Sequence, residues 1–302
     1  MIWLSLLLVP LVLWVLAEWK TSRPDGVIER VHPFRRILGF LLPTRNGAVV
    51  YFDAYADAGN LLEFLRKQKE AETGADMTHV VIAAANIALA RTPKMNRFVV
   101  GHRLYMRNAR WLSFSMKRKR LDREASISTV KLRMNDGETF PQLVERMNGG
   151  IKEERSGKKT RTDQEIDLFN ALPRPVLRAG VNLLLWLDDH NLLPGWYIDG
   201  DPLFTSIFVA NLGSLGMGAG YHHLFEYGNC PLFIMVGKVE DRVVPVDGVP
   251  TVRPMVHVRF TYEERIEDGL NARFGIDALM EVLADPAPWL EGPLWPRADA
   301  RA

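Results

Sequence analysis

The chain is 302 residues long with 47% hydrophobic and 25% charged residues, ordinary values for a globular protein of one large or two small domains. A formal net charge of +2 is too weak to point to nucleic acid. One cysteine, Cys230, excludes an internal disulfide and fits a reducing compartment.

Residues 1–17 carry no charge. At about 1.5 Å rise per residue they can cross a hydrocarbon layer of roughly 30 Å, with Trp14 and Trp19 at the headgroup level. The expectation is a transmembrane anchor over residues 1–19, with Pro10 setting a kink or a depth. A cleaved signal peptide is the alternative, but no Lys or Arg precedes Lys20, where such a peptide has its basic region. Lys20, Arg23, Arg30, Arg35 and Arg36 follow, so the positive-inside rule predicts a single-pass protein with the bulk of the chain in the cytoplasm.

Residues 20–46, with prolines at 24, 33 and 43, read as a linker. Alternation of Val49, Tyr51, Asp53 and Tyr55 predicts a strand over 47–57, and Leu61, Leu62, Phe64 and Leu65 an amphipathic helix to about Glu72. Residues 78–91 are apolar nearly all round, hence a buried helix that Pro93 ends. Two or three strands are expected in 101–133. The basic run Lys117, Arg118, Lys119, Arg120 and Arg123 is either a solvated hairpin tip or a contact for lipid headgroups or ligand phosphates. A helix over 140–151 precedes a polar, exposed loop at 150–165.

Residues 174–196 carry a broad apolar stripe, Leu177, Val181, Leu184, Leu185 and Trp186, ending in Asp188, Asp189 and His190. Too short to span a bilayer, this segment is either a core or oligomer-contact helix or an interfacial helix lying on a membrane. Further strands are expected in 204–213 and 228–239. In 255–262, Val256, Val258, Phe260 and Tyr262 share one face of a half-buried strand, with Met255, His257, Arg259 and Thr261 on the other. A turn rich in charge follows: Glu263, Glu264, Arg265, Glu267, Asp268 and Gly269.

Five stretches together resemble the catalytic core of dihydrolipoyl acyltransferases and of chloramphenicol acetyltransferase. Residues 77–96, MTHVVIAAANIALARTPKMN, are similar to that family's Ala-rich helix closed by Pro-x-x-Asn, supplied here by Pro93 and Asn96. Residues 204–213, FTSIFVANLG, resemble its strand ending in Ser-Asn-Leu-Gly, and residues 228–239, GNCPLFIMVGKV, its Asn-x-Pro and apolar strand. Residues 264–269 match its His-x-x-x-Asp-Gly with Glu264 in place of the His, and Leu283, Asp285 and Pro286 match the close of its last helix. The resemblance covers the catalytic core alone, without lipoyl-bearing or subunit-binding modules. It implies a two-layer α/β domain of the coenzyme A-dependent acyltransferase type, a mixed sheet plus helices, over 47–292. Residues 155–200 are then an insertion and 293–302 a tail. It also implies a homotrimer with a tunnel at each interface, where Glu264 of one chain approaches Asn211 of the next.

In the family the motif His is the base and a hydroxyl steadies the oxyanion. A Glu has a reference pKa near 4.3 against about 6.5, a loss of about 3 kcal/mol of driving force unless burial raises it, and the charges around Glu264 oppose full desolvation. The hydroxyl position falls on Ala210, and loss of one such donor costs about 10²–10³ in rate. Ser206 or Ser214 could stand in. Arg265 and Asp268 are, by the resemblance, an ion pair holding the turn. His222 and His223, if on a strand, face opposite ways, which disfavours a metal site and leaves an alternative general base. His190 beside Asp188 and Asp189 reads as a polar helix end, Cys230 as a small buried residue, and the glycines at 213, 216, 218 and 220 as a flexible loop rather than a phosphate cradle.

Two functions remain open. One is a membrane-anchored pseudoenzyme that binds an acyl thioester or lipid, or scaffolds membrane protein partners. The other is an active acyltransferase using coenzyme A, with Glu264 as base and a lipid or other hydrophobic acceptor. No tightly bound cofactor is expected; coenzyme A or acyl-coenzyme A would be a ligand.

Overall fold

The computed structural model describes residues 2–118, 127–156, 164, 167–169 and 171–295, with side chains described from Leu11 onward. Lys119, Arg120 and Arg123 of the basic run, half of the polar loop, and the tail from 296 lie outside these residues. Helix α1 covers Ile2–Trp19. Half of the expected anchor therefore lies outside the described side chains, and among the described residues no helix is long and apolar enough to cross a membrane.

The chain after α1 is not a free linker. It carries strand β1 (Gly26–Ile28) and helix α2 (Pro33–Leu41). Strand β1 pairs with β4 (Arg103–Arg107), which pairs with β3 (Arg97–Val100), giving a small antiparallel sheet in the order β1-β4-β3. Arg23 and Asp25 are buried, joined at 2.7 Å. These two charges need partners from elsewhere in the chain to be tolerated inside, so local sequence alone makes the segment look like a linker.

The main sheet has six strands: β2 (Val49–Asp57), β5 (Trp111–Lys117), β6 (Ile127–Arg133), β7 (Ile207–Asn211), β8 (Leu232–Val246) and β9 (Val249–Glu263), in the order β2-β9-β8-β7-β5-β6. Strand β7 runs parallel to both β5 and β8, and the other pairings are antiparallel. The sheet is therefore mixed, as expected. Helices α3 (Gly59–Glu70), α4 (Met77–Arg91), α5 (Phe140–Arg155) and α8 (Gly269–Ala284) supply the second layer. Between α5 and α8 lie α6 (Arg174–Asp189) and α7 (Gly195–Gly200), and α9 (Ala287–Leu290) follows α8 across the Asp285-Pro286 break.

Helix α4 forms because Asp76 caps it, accepting from the backbone N–H groups of Thr78 and His79, while the His79 ring reaches back to the Asp76 N–H. Every residue from 79 to 90 is buried, so its apolar surface is used all round. The alternation in β9 sends Val256, Val258, Phe260 and Tyr262 into the core beneath α4 and α8, with Ile207, Val209, Ile234 and Val236 beside them. The opposite face carries a second cluster, Phe208, Ala210, Phe233 and Met235, covered by Ala219, Leu224 and Cys230. Both ends of the candidate site, the end of β7 and the end of β9, are thus set by strands buried on both faces.

Candidate active site

The turn after β9 is fixed by its buried acids. Glu263 is fully buried and accepts from Arg45 Nε at 2.9 Å and Arg265 Nε at 2.6 Å. Arg265 also donates to the Leu42 carbonyl at 3.0 Å, and Arg45 to that of Phe225 at 2.5 Å. Glu267 accepts from Arg35 at 2.9 Å and from Arg97. Asp268 caps α8, accepting from the N–H groups of Leu270 and Asn271, each at 3.1 Å. The bond from Asn271, foremost, holds its carboxyl below the ordinary value. The expected pair between Arg265 and Asp268 does not form: Arg265 turns to Glu263, Asp268 is engaged by the helix N-terminus, and the nearest cation to Asp268 is Arg35 at 4.0 Å.

Glu264 lies between these tied residues and is exposed. Its backbone N–H donates to Ala48 at 2.8 Å. Its side chain makes no hydrogen bond or ion pair among the described residues.

At the end of β7, Asn211 donates from Nδ2 to Thr78 Oγ1 at 3.2 Å and accepts on Oδ1 from the Ser214 N–H at 3.1 Å. Ala210, 8% exposed, points its methyl into the second apolar cluster. Neither serine is a ready substitute donor. Ser206 is fully buried and accepts on Oγ from the Trp111 N–H at 3.0 Å, and the Ser214 hydroxyl donates to the Asn211 carbonyl at 2.8 Å.

The overall fold, a mixed sheet with helices packed on it, is similar to that of solved structures. It is similar to a probable dihydrolipoamide acetyltransferase of Listeria monocytogenes, at 14% identity and a TM-score of 0.57, over 84% of this chain and 93% of that one. A dihydrolipoamide acetyltransferase of Azotobacter vinelandii, in whose catalytic mechanism a serine, a histidine and an asparagine have roles, matches at 16% identity and a TM-score of 0.56, over 87% and 94%. A chloramphenicol acetyltransferase matches at 12% identity and 0.50, over 85% and 99%. The fold is the acyltransferase-core fold. No protein-family model matches the sequence, and neither does any curated protein.

Other candidates take structural places within this acyltransferase-like fold. His222 and His223 lie on an irregular segment, not a strand, and their rings stack at 4.8 Å rather than facing apart. His222 also stacks on Phe233 at 4.0 Å; burial pushes its pKa down, and its Nδ1 lies 2.6 Å from the His223 carbonyl oxygen. Among the described residues no group of His, Cys, Asp or Glu is placed to hold a metal ion. Burial pushes the Cys230 thiol up to about 11, which suppresses the thiolate. The loop from 212 to 220 is held rather than slack: Leu212 N–H donates to the Val236 carbonyl, Lys238 N–H to that of Met217, and a Cβ on Gly213 would sit 2.5 Å from the Gly237 carbonyl oxygen. The approach falls where β8 has a register shift against β9, between Val236 and Val239.

A second polar centre escaped the sequence reading. On the outer face of β2 and β9, Asp53 Oδ1 lies 2.7 Å from His257 Nε2 and accepts from Arg259 Nε at 2.6 Å, while Oδ2 accepts from the Tyr221 hydroxyl at 2.7 Å. Tyr55 stacks on His257 at 4.2 Å. The period of two put His257 and Arg259 on one face. What it could not supply was the register that sets Asp53 opposite Arg259.

Proposed function

We propose that this chain is a single-pass membrane protein whose body, in the cytoplasm, is a homotrimeric acyltransferase-like domain with a degenerate catalytic centre that binds an acyl thioester or a lipid or scaffolds a membrane complex. The observation that carries the reading is the pair of replacements at the reacting positions: an exposed Glu264 where the resemblance implies the base, and a buried methyl, Ala210, where it implies the hydroxyl. Asp268 follows Glu264 by four residues, the same spacing as the histidine and asparagine of the Azotobacter protein, which supports this reading. The nearby cations do not favour the phosphates of coenzyme A: Arg35, Arg45 and Arg265 are each engaged by a carboxylate. The apolar pocket beside the end of β9, lined by Leu89, Ile207, Phe233, Tyr262 and Ile276, supports binding through the acyl chain rather than the nucleotide.

A second reading, an active acyltransferase with Glu264 as general base, draws on one observation: Glu264 is the acid of the turn with no partner among the described residues, exposed where a substrate could meet it. Release of free coenzyme A from acyl-coenzyme A in the presence of membrane lipid separates the two. The degenerate reading predicts no release above the buffer rate from either the natural protein or Glu264→Gln. Transfer by the natural protein that Glu264→Gln abolishes would overturn it in favour of the second.

A further inference from the structure

Three helices with outward apolar residues meet at one turn. The Gly101-His102 turn between β3 and β4 touches α2 through His102, whose ring stacks on Phe40 at 4.7 Å and whose Nδ1 lies 2.7 Å from the Gly39 carbonyl oxygen. It touches α6 through Gly101, where a Cβ would come within 2.2 Å of the Asp189 carbonyl oxygen. Arg103, the next residue, donates to the Glu18 carbonyl near the end of α1.

The end of α1 is also held directly. Glu18 lies 3.3 Å from His190 Nε2, the Lys20 carbonyl accepts from Asn191 Nδ2 at 2.8 Å, and buried Arg23 pairs with Asp188 at 3.0 Å. Beside these ties runs an apolar groove lined by Leu13, Trp14 and Leu16 of α1 and by Trp186 and Leu192. The body does not swing from α1 on a tether.

Both flanking helices turn apolar side chains to the outside. Helix α2 exposes Phe34, Ile37, Phe40 and Leu41, and α6 exposes Val176, Val181, Leu183 and Trp186. A helix face meant for water carries polar residues at such positions; contiguous exposed apolar surface marks an interaction site. The exposed charges within these helices are Arg36, Arg174 and Arg178, with Asp189 alone opposing them. A second copy seated on this face would set those cations against its own. Anionic headgroups complement them, and tryptophans at positions 14, 19 and 186 suit the boundary between headgroup and acyl chain.

We infer that α2 and α6 lie in the interface of a bilayer containing anionic lipid, flanking α1 and fixing the orientation of the acyltransferase-like body against the membrane. This rests on the reading of α1 as an anchor. Its consequence is that the centre at Glu264, joined to α2 through the pair of Arg35 with Glu267, is held at a constant height over the lipid.

The test uses the full chain in phosphatidylcholine vesicles containing phosphatidylglycerol, with the fluorophore NBD attached to one introduced cysteine at a time; Cys230 is buried. Leu8→Cys reports the anchor, Ile37→Cys and Leu183→Cys the two helices, and Leu62→Cys an exposed apolar position on α3. Lipid spin-labelled near the headgroup should quench positions 37 and 183 about twofold more than position 62, with position 8 quenched by deep-labelled lipid. Quenching at 8 with 37 and 183 no different from 62 would overturn the platform while leaving the anchor. No quenching at any position would overturn both.

Discussion

Adjacent glutamates at the end of β9 have opposite surroundings. Glu263 is sealed between Arg45 and Arg265, and Glu264 is exposed with no partner among the described residues. Removing the charge of Glu263 leaves two guanidinium groups buried without an anion, a change that costs about 3–5 kcal/mol, whereas an exposed, unengaged side chain contributes within about 0.5 kcal/mol. Urea unfolding of Glu263→Gln and Glu264→Gln should therefore differ by several kcal/mol, and equal losses would contradict this assignment.

Asp53 gives the corresponding pH dependence. Burial pushes its carboxyl up, but the hydrogen bonds from Arg259, Tyr221 and His257 outweigh that and hold it at about 2, below the ordinary 3.8. The unfolded chain then takes up the proton first as pH falls, so the stabilisation is present above about pH 4 and lost as pH drops towards 2. With the side chain 37% exposed, solvent screening leaves about 1 kcal/mol of it. Asp53→Asn should lower stability by about 1 kcal/mol near pH 7, shrinking below about pH 4. A loss that stays constant down to about pH 2 would show that the carboxylate contributes by shape rather than charge.

At the scale of elements, the Gly101-His102 turn joins α1, α2 and α6. Gly101 has φ +53, and a side chain there would meet the Asp189 carbonyl. Gly101→Ala should cost on the order of 2–4 kcal/mol, from left-handed strain and overpacking together. Thermal unfolding measures it; a loss under about 0.5 kcal/mol would show that α6 can move away freely. The elements most legible in the sequence were those whose signal is local. The faces of β9 follow from a period of two, and α4 from an unbroken apolar surface ended by Pro93. Residues 20–46 were misread because what holds them is distant: Arg23 meets Asp188 across 165 residues. The partner of Arg265 is hidden for a different reason: Glu263 is only two residues away, and the backbone path, not the motif spacing, turns Arg265 towards it. For His222 and His223 a strand is ruled out by the irregular, Gly-rich approach from 216 to 220.

At the scale of the molecule, the chain has the acyltransferase-core fold, and the proposed function rests on Glu264 and Ala210 standing where the resemblance implies a base and a hydroxyl. In the single chain Glu264 and Asn211 belong to opposite ends of the same sheet's central strands, and the resemblance brings them together only between chains. A degenerate but occupied centre therefore requires both the trimer and a ligand. Native mass spectrometry of the detergent-solubilised full-length protein, with coenzyme A and acyl-coenzyme A titrated in, tests that requirement most directly. The account predicts a trimer that takes up about one acyl-coenzyme A per chain and takes up free coenzyme A more weakly, because the acyl chain supplies the apolar contact. A monomer, or a trimer that ignores both ligands, would contradict it.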